Sequence, residues 1–140
     1  MSGTDRCPEW ERIEMTGWER LFGALGAGFG LLAVALGAFG AHALQERLEP
    51  RALEVFETGV RYQMFHAVAL LAVALLVARH GGSLVVASGW SFTAGIVIFS
   101  GSLYLLAMTG VGRWGAVTPV GGAAFLAGWL LLAIFFVRGS

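Results

Sequence analysis

The chain has no lysine and no asparagine, one cysteine and three prolines in 140 residues. Charged residues make up 13% of it, against roughly 25% in an ordinary soluble domain. The deficit is concentrated. Between residues 21 and 43 the only Asp, Glu, Arg or His is His42, and between 81 and 137 it is Arg113. A soluble fold of this size needs a polar surface that these stretches cannot supply. The lone Cys7 excludes an internal disulfide and a cysteine metal cluster. With a net charge of zero and no basic patch interleaved with aromatics, nucleic-acid binding is not expected. Catalytic signatures are missing too. There is no G-x-S-x-G elbow, and the glycine-rich run over 23–30 lies inside an apolar stretch of lipid-spanning length, the wrong setting for a phosphate loop. No enzyme is expected.

What the chain does have is apolar length. Hydrophobic residues make up 57%, and a bilayer core of about 30 Å takes about 20 apolar residues as a helix. Four stretches qualify, at about 21–43, 62–78, 84–108 and 116–137. Helices satisfy every backbone donor and acceptor within the segment, which lipid demands. The expected fold is therefore all-α, an integral membrane bundle of four transmembrane helices occupying 21–138. Ala41-His42-Ala43 resembles a signal-peptidase site, but the preceding apolar run is too long and its leader too acidic for a signal peptide. Residues 1–20 read as a polar, mobile tail.

A short amphipathic helix is expected between the first two spans, starting at Pro50 and running into the second. Leu53, Phe56 and Val60 share one face of it, and Glu54, Glu57 and Arg61 another. Glu57 and Arg61 stand in the favourable i, i+4 order for an ion pair. Orientation is not decided by charge, since five arginines fall on the side of the N-terminus and four on the other.

Small residues recur at helical spacing: Gly23, Gly30 and Gly37 with Ala27, Val34 and Ala41 in the first span, Ser88, Gly95 and Ser102 in the third, Gly121, Ala124 and Gly128 in the fourth. Such seams let backbones approach closely in lipid. They are expected to pack the bundle, with a homo-oligomer through one of these faces as the alternative.

Four antiparallel spans bring the end of the first, the start of the second, the end of the third and the start of the fourth to one membrane face. The in-membrane polar residues gather there: His42, Glu57, Thr58, Arg61, Tyr62, Gln63, His66, Ser100, Ser102, Tyr104 and Thr118. Polar groups at membrane depth need partners, so this cluster is the candidate site. Arg61 with Tyr62 and His66 would suit a lipid headgroup or a partner protein, with membrane lipids as the expected partners. A path lined by His42, His66 and Ser102 would suit a subunit of a small-solute transporter or channel. His42 and His66, taken to lie at comparable depth, would suit haem or a metal ion, with Glu57 the nearest carboxylate.

Gly37-Ala-Phe-Gly-Ala-His42, Thr58-Gly-Val-Arg-Tyr-Gln-Met-Phe-His-Ala67, Phe99-Ser-Gly-Ser-Leu-Tyr104 and Thr118-Pro-Val-Gly-Gly122 resemble the family catalogued as domain of unknown function 423. Transmembrane protein 256 of eukaryotes belongs to the same group. The resemblance covers about residues 21–137 and is most specific around Arg61-Tyr62-Gln63 and His66. It implies a small multi-pass protein, placed in bacteria in the cytoplasmic membrane, and brings no activity, cofactor or site assignment with it.

Overall fold

A computed structural model of the chain describes residues 17–139. They form four antiparallel helices: α1 (Gly17–Leu44), α2 (Pro50–His80), α3 (Ser83–Thr109) and α4 (Arg113–Arg138), each long and apolar enough to cross a bilayer. The amphipathic stretch starts at Pro50, at the head of α2, and continues without a break into the span. Its apolar face packs as the pattern requires, with Phe56 buried and Leu53 and Val60 half-buried, while Glu54, Glu57 and Arg61 are exposed. The expected Glu57–Arg61 ion pair does not form. Arg51 pairs with Glu54 instead, at 3.4 Å. On an exposed face such a pair is worth a few tenths of a kcal/mol, about 0.2–0.5, too little to fix two long side chains.

Residues 17–20 also depart from the sequence reading. They form the first turn of α1 rather than part of a tail, because Trp18 stacks on Phe22 (centroids 6.2 Å apart) and meets Trp90 of α3 edge-on at 6.0 Å. The remainder of the expected tail, 1–16, lies outside the described residues.

Glycines set the helix contacts. Along α1, Gly23 faces Ala74, Gly30 faces Ala67 and Gly37 faces Val60, as the seam predicts. The tightest approach is at Gly26, where an added methyl would sit 2.9 Å from the Ala67 carbonyl. Ala27, Val34 and Ala41 point outward instead, so the seam is narrower than it reads. Between α3 and α4, Gly121 lets the α4 backbone sit against the backbone of α3 at Phe99, while two glycines are sockets for phenylalanine rings, Gly128 for Phe92 and Gly95 for Phe125. Phe22 of α1 fills Gly89 in the same way. The main core gathers around these rings, with Leu70, Val73 and Val85 fully buried among them.

The bundle is not a closed square. α1 packs along α2 and barely meets α3, while α4 packs along α3; the backbones of α2 and α4 never approach closely. Those two helices meet only through side chains, across a groove open to lipid. Helix α3 carries a π turn at Ile96–Ser100, and α1 ends in another at Gly40–Leu44. Each adds a residue to its turn, which shifts the faces presented on either side.

Candidate functional site

The glycine contacts fix relative depth. Gly23, Gly30 and Gly37 oppose Ala74, Ala67 and Val60, so each step up α1 matches a step back along α2. His42 is then level with Val55, and His66 lies eleven residues further on, about 16 Å at a helical rise of 1.5 Å per residue. The two histidines do not share a depth, and the haem or metal pair they were expected to form is not assembled. The reason is that α2 begins at Pro50, well before its apolar run, which puts His66 near the middle of the helix rather than at its mouth. Among the described residues no group of three His, Cys, Asp or Glu is placed to hold a metal ion.

The remaining polar residues fall into two sets. The interior set ties helices together. Gln63, 2% exposed, donates from Nε2 to the Phe29 carbonyl of α1 (2.9 Å) and accepts from Tyr104 Oη of α3 (2.8 Å). Ser100 Oγ donates to the Gly59 carbonyl of α2 at 2.8 Å. Gly59 must be glycine here, since a β-carbon would sit 2.8 Å from the Tyr104 ring. Ser102 Oγ lies 2.7 Å from Thr118 Oγ1, joining α3 to α4; one of the two hydroxyls donates to the other, which is left to donate to a carbonyl of its own helix, Phe99 for Ser102 or Trp114 for Thr118. These residues are latches with every buried polar atom satisfied. A single latch is a modest term, on average about 0.6 kcal/mol between membrane helices. Ser102→Ala is expected to lower unfolding stability in detergent by about that amount, and a loss several times larger would show that Ser102 does more than bridge α3 to α4.

The second set faces outward. Thr58 bonds only to the Glu54 carbonyl one turn back (2.8 Å), and His42, Glu57 and Arg61 are exposed. Tyr62 and His66 line the α2/α4 groove of about 480 Å3, together with Phe99, Phe125 and Trp129. His66 is fixed on three sides. Trp129 Nε1 lies 3.1 Å from its Nε2, its Nδ1 lies 2.7 Å from the Tyr62 carbonyl, and its ring stacks on Phe125 at 3.5 Å and 10°. An indole N–H can only donate, so Nε2 is the acceptor and the proton sits on Nδ1, donated to the Tyr62 carbonyl. His66 is thereby a neutral imidazole with both nitrogens engaged. Tyr62 packs on Phe99 (4.6 Å) and leaves its hydroxyl without a hydrogen-bond partner among the described residues.

Two groove residues, Phe125 and Trp129, were not singled out by sequence. A signal existed. Tryptophan favours the membrane interface, and one near the middle of a span, one turn from a phenylalanine, is out of place there.

The comparisons with known proteins fit this architecture. The model of the family described as "Protein of unknown function (DUF423)" matches residues 36–122. The chain belongs to the DUF423 family. Curated relatives of this DUF423 member include the UPF0382 membrane protein YwdK of Bacillus subtilis, 46% identical over 85% of this chain and 98% of its own length. The UPF0382 inner membrane protein YgdD of Escherichia coli K12 is 42% identical over 78% of this chain and 83% of its own. A Staphylococcus saprophyticus UPF0382 membrane protein is 44% identical, with 82% and 95% covered. No solved structure matches. This DUF423 protein is an integral protein of the bacterial inner membrane.

Proposed function

We propose that the protein is a non-catalytic, lipid-binding membrane protein that holds an anionic headgroup at Arg61. The observation that carries this reading is a guanidinium on the lipid-facing side of α2 with no protein partner among the described residues. Ser100, at a comparable level on α3, is nine residues from the end of that helix, or about 14 Å. The Arg61 backbone therefore lies inside the hydrocarbon, where an unpaired cation is costly. Long side chains on a helix lean toward its N-terminus, and the N-terminus of α2 is the nearer membrane face. Arg61 can thus extend to the interface, where lipid phosphates are the available acceptors. The reading as a transporter or channel subunit draws less support, because the buried hydroxyls and the Gln63 amide are engaged between and within helices rather than lining a path.

Native mass spectrometry of protein extracted gently from its membrane tests this. Arg61→Gln is expected to lose most co-purifying phospholipid, and Arg61→Lys to keep it. Lipid retention unchanged in Arg61→Gln would overturn the reading.

A further inference from the structure

We propose that the groove between α2 and α4 binds the ring of a membrane-dissolved quinone, with Tyr62 Oη donating to a ring carbonyl. The site is separate from the Arg61 surface, and five observations lead to it.

The groove opens sideways into lipid. Leu126 is 74% exposed, Trp129 49% and Tyr62 41% on its rim, so an occupant must arrive through the hydrocarbon rather than from water. Its lining is mostly aromatic, with Tyr62, His66, Phe99, Phe125 and Trp129 beside the small Gly122 and Ala123. Flat π faces beside small residues fit a planar ring better than a flexible acyl chain. The volume, about 480 Å3, lies in the range usual for small-molecule sites.

Depth decides the chemistry. The Tyr62 ring is held by Phe99 at 4.6 Å and Phe125 at 6.2 Å, residues near the middle of α3 and α4. Its hydroxyl is therefore well below the ester carbonyls of phospholipids, which border a core about 30 Å thick. A hydroxyl at that depth with no partner is unfavourable. It calls for an acceptor that travels in the hydrocarbon, and a quinone carbonyl is such a group.

The remaining polar atoms narrow the fit. His66 Nε2 is occupied by the Trp129 N–H and its Nδ1–H by the Tyr62 carbonyl. The groove accordingly offers one free hydroxyl beside a rigid aromatic wall, and His66 serves as a positioning residue that holds Trp129 and Phe125 in place.

The full-length protein in phospholipid nanodiscs provides the test, with a decyl-substituted benzoquinone as probe and decylbenzene, which lacks carbonyls, as its match. Native mass spectrometry is expected to find one quinone per chain, and its quenching of tryptophan emission is expected to shrink in Trp129→Phe. Tyr62→Phe, which keeps the ring packing, is expected to weaken quinone binding about tenfold, the value of one hydrogen bond in an apolar setting, and to leave decylbenzene unaffected. Gly122→Leu is expected to abolish binding of both. At Gly122 an added β-carbon has only ordinary contacts, 3.8 Å from the Phe99 ring, so the fold should tolerate the change, and a melting curve checks this. Equal binding of quinone and decylbenzene would overturn the proposal, as would wild-type quinone affinity in Tyr62→Phe and Gly122→Leu. Arg61→Gln should keep the quinone, so the headgroup reading and this one fail by different results.

Discussion

Gly121→Ala is expected to destabilise the protein by about 1–3 kcal/mol, the usual range for forcing one extra group into a packed core. A methyl at Gly121 would sit 2.6 Å from the Phe99 β-carbon and 2.7 Å from its α-carbon. The α-carbon and the Phe99 amide nitrogen, which is also in contact, belong to the backbone of α3, so no rotamer change relieves the clash and the two helices must separate. Close contacts at glycine flank it along the same interface, with the Phe92 ring seated at Gly128 of α4 and the Phe125 ring at Gly95 of α3. Spreading the helices at Gly121 therefore unseats the neighbouring rings. Gly122→Ala is the control, since its added carbon meets only the edge of the Phe99 ring at 3.8 Å. It should change stability by less than about 0.5 kcal/mol, as a substitution with room to spare does. Unfolding in mixed detergent micelles measures both, and equal stabilities would show that the α3–α4 interface is looser than the sockets imply.

Replacing Gln63 should have the second largest effect, and the way it is undone is more informative than its size. Gln63→Leu removes both ends of the bridge between Phe29 of α1 and Tyr104 of α3. The Phe29 carbonyl keeps its place in the α1 ladder, but the half-buried Tyr104 hydroxyl loses its acceptor. An orphaned polar group of this kind costs about 1–3 kcal/mol, and membrane helix pairs sit toward the low end of that range. Adding Tyr104→Phe takes away the orphan, so the double variant should recover most of the loss. A double variant as unstable as the sum of the two singles would mean that Gln63 and Tyr104 act independently, contrary to the 2.8 Å bond between them.

Much of this architecture is legible in the sequence, because lipid makes helices almost obligatory and the charge-free stretches mark where they run. The glycine seams are legible for the same reason, as is the buried face of Phe56 and Val60. The site is harder to read. Gln63, Ser100, Ser102 and Thr118 look alike in sequence to Tyr62 and His66, as polar groups at membrane depth. Which of them tie helices together and which face the groove depends on the register of α2 against α3, shifted by the π turn at Ile96–Ser100. Hydropathy does not encode that turn. It also misplaces His66, because an amphipathic head such as Pro50 to Arg61 lowers the average without ending the helix. Trp129 carries a weaker signal, its place near the middle of an apolar span rather than at the interface that tryptophan favours, and only the fold puts His66 beside it.

The turn between α2 and α3 has a consequence for how the protein is made. Only Gly81 and Gly82 separate the two helices, and both have positive φ, 64° and 96°, which suits residues without a β-carbon. A connection that short leaves no room for the two helices to be oriented independently. The two helices form a hairpin, and whichever side of the membrane receives Gly81 fixes the direction of both at once. Arg79 and His80 stand immediately before that bend, so the residues that anchor the hairpin's tip are the last of α2 to be synthesised before the chain turns back.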